Sequence, residues 1–391
     1  MTEAYDSNRK IYKAGDHQYS MVDILASAVS EEYMLNGLPR VSDFHLKVGE
    51  PIRFRLDNEL QVIPGGTPLT KELIEPMIFS MLRPDHIEQL RNDPLVDLDA
   101  AFELPGGKYY FRVNVFRDRD GLAAVVRLLP PYIPAVEEIG FPSDIPWRSI
   151  VSAKQGFVLL TGVTGSGKTT TIASLLSRIN EQRQVRVITL EDPIEFVFPN
   201  KRALFSQREI GRHAVSFASG LRSVLRENPD IIYVGEIRDA ETASQALSAA
   251  ETGHLVFSTL HTRDTVGALT RIVDMFPSER SRELMVQLSF SLSFVINQKL
   301  ISRADGHGRC VAMEVLRNNP AISNLIRTGN WQQIYGAVET RVKEGMNTLE
   351  QSLISLYERG KITLDDAISH ANDASIIDRL APHLDPQWRK K

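Results

Sequence analysis

The chain has 391 residues, of which 42% are hydrophobic and 24% charged, with a formal net charge of −4 and one cysteine. That is the composition of an ordinary globular protein, long enough for about two to three domains with no need of disulfides or structural metals. It excludes an intrachain disulfide and a four-cysteine zinc module, and it gives no global attraction for nucleic acid.

The lone Cys310, beside Val311, reads as a small buried hydrophobe. The start, Met1 to Tyr19, is polar and lacks the apolar segment of a signal peptide, so residues 1–19 are expected to be a mobile leader. The longest apolar run, Leu284 to Ile296, is interrupted by Gln287, Ser289, Ser291 and Ser293. No transmembrane segment is therefore expected, and any membrane contact should be peripheral or through a partner. The single cysteine suits a reducing cytoplasm, so the expected location is cytoplasmic, peripheral to the inner membrane.

After Ser20, a plausible helix N-cap, apolar residues from Met21 to Met34 recur at helical spacing until Asn36-Gly37. Phe44 and Leu46, then Ile52, Phe54 and Leu56, alternate with polar residues as strands do. A helix is expected over 70–91. Tyr109 to Phe116 and Leu122 to Leu129 flank Asp118-Arg119-Asp120-Gly121 as a hairpin. Together these describe a small α+β domain. Pro130, Pro131, Pro134, Pro142 and Pro146 then mark an extended connector. From Phe157 to Thr259, short Val/Ile/Leu-rich strands alternate with helices, which implies a parallel sheet covered on both faces. Beyond about residue 313 the pattern is helical.

Gly162-Val163-Thr164-Gly165-Ser166-Gly167-Lys168-Thr169, followed by Thr170, fits the P-loop pattern between a strand and a helix. Its glycines let backbone N–H groups turn toward phosphate oxygens, at the positive end of the following helix. Lys168 supplies charge for the β- and γ-phosphates and Thr169 a hydroxyl for Mg²⁺. The chemistry implied is that of ATP with Mg²⁺.

Two acidic segments end strands of the same block: Leu190-Glu191-Asp192-Pro193-Ile194-Glu195 and Val234-Gly235-Glu236-Ile237-Arg238-Asp239. Ligands of parallel α/β sheets bind at that edge. Phosphoryl transfer to water needs one carboxylate to orient the water and another to hold the metal's water shell, so Glu191 and Glu236 are the candidates. Acids at such positions also cap helices, the competing reading for Asp192 and Asp239. His254 and His261 lack companions for a metal set and are read as contacts to the γ-phosphate or to a neighbouring subunit.

In this order, the P-loop, the two acidic segments and the stretch from Gly253-His254 to Leu260-His261-Thr262 resemble the secretion and type IV pilus ATPase superfamily. The resemblance includes Gly235 where many P-loop enzymes place an acid. Ser42-Asp43-Phe44-His45-Leu46, Phe111 to Phe116 and Val126 to Pro130 resemble the strands of that superfamily's PAS-like N-terminal domain. By that similarity Arg112 and Arg127 reach the nucleotide's phosphates, as an arginine fork is suited to do. The lack of a cysteine module, together with Ala321 to Arg327 and Gly345-Met346-Asn347-Thr348, points to retraction ATPases of the PilT type. Ser323 and Thr328 depart from that pattern, where arginine and glutamate are usual.

The resemblance implies an α/β fold: a RecA-like ATPase domain with a parallel-dominated sheet over 149–312 and a helical C-terminal region over 313–391. A PAS-like domain over 20–131 and a proline-rich linker over 132–148 precede them. It implies a homohexameric motor that hydrolyses ATP, with the nucleotide between neighbouring subunits, and passes force to a PilC-like platform protein at the inner membrane. The alternatives are an accessory retraction paralogue or a type II/IV secretion ATPase. The net charge and the lack of a basic–aromatic tract argue against a nucleic-acid motor.

Overall fold

The computed structural model describes residues 5–35, 38–57, 59–93, 95–107, 109–129, 132–306 and 308–380. Internal contacts divide the chain into two units, Met1–Tyr132 with Pro193–Phe196, and Ile133–Asp192 with Val197–Lys391.

The first unit opens with a hairpin of β1 (Tyr12–Ala14) and β2 (His17–Tyr19). This corrects the expectation of a mobile leader to residue 19, whose first four residues lie outside the described ones. Tyr12 is fully buried, and its hydroxyl accepts from the Ile52 N–H at 3.1 Å. Polar outward residues conceal the two that point inward, Tyr12 and Ala14. Ser20 caps α1 (Met21–Ser27) as expected: its hydroxyl accepts from Asp23 N–H, and the Asp23 carboxylate accepts from Ser20 N–H. Asn36 and Gly37, read as that helix's stop, lie outside the described residues, between β3 (Met34–Leu35) and β4 (Leu38–Pro39). The helix itself ends earlier.

Next come β5 (Val41–Lys47), β6 (Arg53–Leu56) and β7 (Glu59–Val62). The helix expected over 70–91 is two, α2 (Lys71–Phe79) and α3 (Pro84–Asn92). Pro84 begins the second, and a proline drives the residue before it out of helical geometry, so Arg83 is extended at φ −78° and ψ 159°. β8 (Leu98–Glu103), β9 (Tyr110–Asp118) and β10 (Gly121–Leu128) complete an antiparallel sheet in the order β7-β6-β5-β10-β9-β8. Alternation is most regular along β9. Phe44, Leu46, Phe111, Val113 and Val126 are buried, and the intervening Asp43, His45, Arg112 and Arg127 share the other face.

In the second unit the proline-rich stretch is not one extended linker, which corrects that expectation. Val136 and Trp147 are buried, and α4 (Asp144–Ser152) takes Pro146 into its first turn. Pro130 and Pro131 lie outside the described residues. Then β11 (Gly156–Thr161), α5 (Lys168–Gln182), β12 (Arg186–Glu191), β13 (Leu204–Glu209), α6 (Phe217–Val224), β14 (Ile231–Val234), α7 (Ala240–Glu251), β15 (Leu255–Leu260), α8 (Thr265–Asp274) and α9 (Ser281–Ser291) follow. β16 (Leu292–Ser302) and β17 (Arg309–Arg317) close a seven-stranded sheet in the order β13-β12-β14-β15-β11-β16-β17. All neighbours are parallel except β17, which runs antiparallel to β16 at the edge. The strands β11, β14 and β15 are buried on both faces, as parallel strands under helices must be.

β17 runs through residue 313, so the region expected to be helical from there begins with a strand. The helices α10 (Pro320–Thr328), α11 (Ile334–Glu339), α12 (Leu349–Glu358), α13 (Leu364–His370) and α14 (Ala374–Leu380) follow, and residues past 380 lie outside the described ones. α10 is capped by Asn319 and Pro320 at its start and by Gly329 at its end. It buries Ile322 and Ile326 and turns Asn324, Arg327 and Thr328 outward; Ser323 donates to the Ser289 carbonyl at 2.9 Å. A separate core gathers Ile301 and Ala312 against Leu349, Leu353, Ile362 and Ile377.

Candidate active site

The P-loop joins the carboxyl end of β11 to the start of α5. Gly162 has φ +138°, and a Cβ there would lie 2.5 Å from the Gln298 carbonyl and 2.6 Å from Ser166 Oγ. Only glycine fits. Gly167 caps α5 in the left-handed region, and the first turn of α5 carries no acid to offset its positive end. Lys168 is buried and bends back over the loop, with Nζ donating to the carbonyls of Gly162 at 2.8 Å and Val163 at 3.1 Å. The ammonium is thereby held over the turn, close to N–H groups that no helical partner satisfies. Thr169 and Thr170 follow in the first turn of α5, half-buried, while Thr164 and Gly165 are exposed.

The strand register brings three further residues to the same edge. Leu190 on β12 pairs with Val234 on β14, Val234 with Ser258 on β15, and Leu260 with Thr161 on β11. Glu191, Glu236 and His261 therefore stand at successive strand ends beside the P-loop. Gly235 donates to the Leu190 carbonyl at 2.7 Å, and a Cβ on it would come within 3.2 Å of that oxygen, so the backbones pack closely and the flanking glutamates present the carboxylates. Glu191 is buried and accepts from the Thr189 hydroxyl at 2.6 Å and from Gln207 Nε2 at 3.1 Å. Glu236 pairs with Arg238, and its other oxygen lies 3.4 Å from His261 Nε2. Asp239 is a helix cap: its carboxylate accepts from Thr242 N–H at 2.8 Å.

His254 does not join this group, which corrects the pairing of the two histidines. It precedes β15, and its carbonyl accepts from Gly156 N–H at 3.0 Å, at the opposite edge of the sheet. A six-residue strand carries the chain about 20 Å from there to His261. The His254 ring instead closes the end of α7, with Nδ1 2.9 Å from the Ala249 carbonyl.

Arg112 and Arg127 belong to the first unit and are direct partners across β9 and β10. Each has its own acid: Arg112 Nη2 lies 3.2 Å from Asp99, and Arg127 Nε donates to Asp43 at 2.7 Å. Burial pushes the Asp43 carboxyl upward, but hydrogen bonds from Ser42 and Arg127 and the Arg127 charge outweigh it and hold Asp43 below the usual range. Burial pushes the neighbouring His45 down.

Sequence reasoning missed β16 and the two polar residues it places beside the P-loop. Gln298 is fully buried, and its Nε2 donates to the Ser166 carbonyl at 2.6 Å. Asn297 donates to Thr161 Oγ1 at 2.8 Å and to the Thr262 carbonyl at 3.1 Å. The signal was an Asn-Gln pair inside an apolar run.

The donor set suits an anion with a hard cation. Glycine-lined space beside a lysine fits phosphates, and a threonine hydroxyl with nearby carboxylates fits Mg²⁺, which keeps waters and phosphate oxygens as its other ligands. Among the described residues no cluster of three or more His, Cys, Asp or Glu could hold a metal by itself. No helix among them is long and apolar enough to cross a membrane.

The profile of the type II/IV secretion system protein family matches residues 38–330. The chain belongs to this family. It is 43% identical over 306 residues to a twitching motility protein of Neisseria gonorrhoeae, covering 78% of this chain and 80% of that protein. It is 41% identical over 328 residues to the type IV pilus retraction ATPase PilT of Pseudomonas aeruginosa, covering 83% of this chain and 93% of that one. The crystal structure of the pilus retraction motor PilT with bound ADP superposes with a TM-score of 0.82 at 40% identity, over 92% of this chain and 98% of that one. The PilT-type resemblance read from the motifs thus extends through both units of this family member.

Proposed function

We propose that this family member hydrolyses ATP and drives type IV pilus retraction as a homohexameric ring, with the chemistry at the carboxyl edge of the seven-stranded sheet. The observation that carries the reading is the row of His261, Glu236 and Glu191 at adjacent strand ends beside the P-loop, whose Lys168 opens α5. Its similarity to PilT proteins supports retraction as the use made of the hydrolysis.

In this reading Lys168 and the loop N–H groups hold the β- and γ-phosphates. The Thr169 hydroxyl would ligate Mg²⁺, which would neutralise phosphate charge. Glu236 orients and deprotonates the attacking water, because its side chain retains some exposure and faces His261. Glu191, buried and already bonded twice, suits a fixed acceptor for the metal's water shell. By the same resemblance, Arg112 and Arg127 of a neighbouring subunit would reach the phosphates. The force would pass to a PilC-like platform protein at the cytoplasmic face of the inner membrane.

Phosphate release from Mg²⁺-ATP by the purified chain tests the reading. Lys168→Ala should bind no nucleotide. Wild-type protein that retains no nucleotide with Mg²⁺ supplied would end it. Retraction is tested by expression in a bacterium lacking its own retraction ATPase. Restored twitching is expected, and pili that stay extended despite normal hydrolysis would count against it. Light scattering with ATP tests the ring.

A further inference from the structure

β11, β16 and β17 lie side by side, and Thr161, Asn297 and Glu314 occupy one rung across them. Directly paired residues project from the same face of a sheet, so three polar side chains meet in a row. All are buried, with exposures of 0%, 0% and 3%. Asn297 commits both its amide hydrogens, one to Thr161 Oγ1 and one to the Thr262 carbonyl. Thr161 leads into the P-loop, and Thr262 follows His261. Asn297 thus ties the entrance of the loop to the segment that presents the histidine.

Its own Oδ1 is buried without a hydrogen-bond partner among the described residues. So is Oε2 of the facing Glu314, whose Oε1 accepts from the Thr265 hydroxyl. Each of these enclosed acceptors, on directly paired residues, lacks a donor, and one hydrogen placed between them would serve both. A carboxylate cannot provide it, but a carboxylic acid can.

The surroundings favour the acid. Asp264 precedes α8, and Glu350 projects from α12, where it accepts from Tyr335 of α11. Lys299, the cation of β16, gives its hydrogens to the His370 carbonyl at 2.8 Å and to Asn372 Oδ1 at 2.9 Å. Arg263 lies near Lys299 and reaches toward the Asn372 carbonyl. Burial pushes Glu314 up to about 7; the Thr265 hydroxyl opposes the rise, and the charges of Asp264 and Glu350 add to it.

We propose that Glu314 is a positioning residue for the nucleotide site: as a neutral acid it donates from Oε2 to Asn297 Oδ1, and the chain Thr265–Glu314–Asn297–Thr161 holds the P-loop entrance against the His261 segment. Ionisation releases the proton to solvent, sets two acceptors against each other and loosens the grip on Thr161 and Thr262. The proposal rests on the reading of the loop as an ATP site.

Infrared spectroscopy and ATP-analogue binding on the full-length protein test it, with Glu314→Gln as the neutral mimic. Below about pH 7 the wild type should show the carbonyl band of a protonated carboxyl that E314Q lacks. As pH rises through about 7, affinity for a non-hydrolysable ATP analogue should fall roughly threefold to tenfold in the wild type relative to E314Q, the scale of one hydrogen bond. Absence of the band difference overturns the proposal in favour of a bridging water. An affinity ratio flat with pH overturns the positioning role. If the band is present but neither protein binds the analogue, the ATP reading has failed and the positioning role falls with it, while the protonation stands. If E314Q does not fold, the wild-type band and wild-type analogue affinity must titrate together; independent titration overturns the proposal.

Discussion

One nitrogen of the Arg238 guanidinium closes on Glu236 while the other lies 3.7 Å from Asp192, so a single side chain spans the two acidic segments. An arginine in that place fixes the direction of the Glu236 carboxylate. In the proposed hydrolysis it must also yield as that carboxylate takes a proton from water.

Glu236→Gln should bind ATP with unchanged affinity and turn it over at least about a hundredfold more slowly, the scale of a lost general base. Arg238→Ala keeps the carboxylate but frees it, and should cost roughly tenfold in kcat. Equal losses in the two variants, measured by phosphate release, would contradict the separate roles.

The two histidines should part company. His261→Ala removes the group facing Glu236 and should lower kcat by roughly tenfold to a hundredfold. His254→Ala acts at the opposite edge of the sheet and should stay within about threefold. A large kinetic defect in the His254 variant with an unchanged melting temperature would show that the placement misleads.

Gln298→Ala removes the donor to the Ser166 carbonyl and loosens the loop from behind. ATP affinity should weaken by roughly threefold to tenfold, the scale of one hydrogen bond, with kcat less affected. Calorimetric titration with a non-hydrolysable analogue checks this, and unaltered affinity would remove Gln298 from the account.

Asp43 gives the first unit a pH dependence. Its carboxyl titrates lower in the fold than the ordinary 3.8, so its contribution is fully present above about that pH and is lost as pH falls through the folded value. Asp43→Asn should flatten this part of the acid limb in thermal melts. Arg127→Ala leaves a buried carboxylate short of its cation and should destabilise the protein by about 1–3 kcal/mol at neutral pH.

The P-loop, its strand and the two acidic segments were legible because their chemistry demands fixed residue types at fixed spacing. β16 was not. α9 ends at Ser291 and the strand starts at Leu292 with no glycine or proline between them, so the apolar pattern reads as one continuous element. His254 misled for a geometric reason: six intervening residues look close in a list but, fully extended, span the sheet. The β1–β2 hairpin escaped because two inward residues in a polar stretch carry too little periodicity; their place in the first unit's core shows their purpose, as does the Tyr12 hydroxyl on Ile52. The first unit's arginines could be picked out by resemblance, but their aspartate partners are about 13 and 84 positions away in the chain, which no local pattern reports.

The two sides of α10 answer to different masters. Ile322 and Ile326 are pinned inside the core, whereas Asn324, Arg327 and Thr328 meet solvent. Exchanges on the outer side should therefore shift stability by no more than about 0.5 kcal/mol, leaving that surface free to change while the buried side stays fixed.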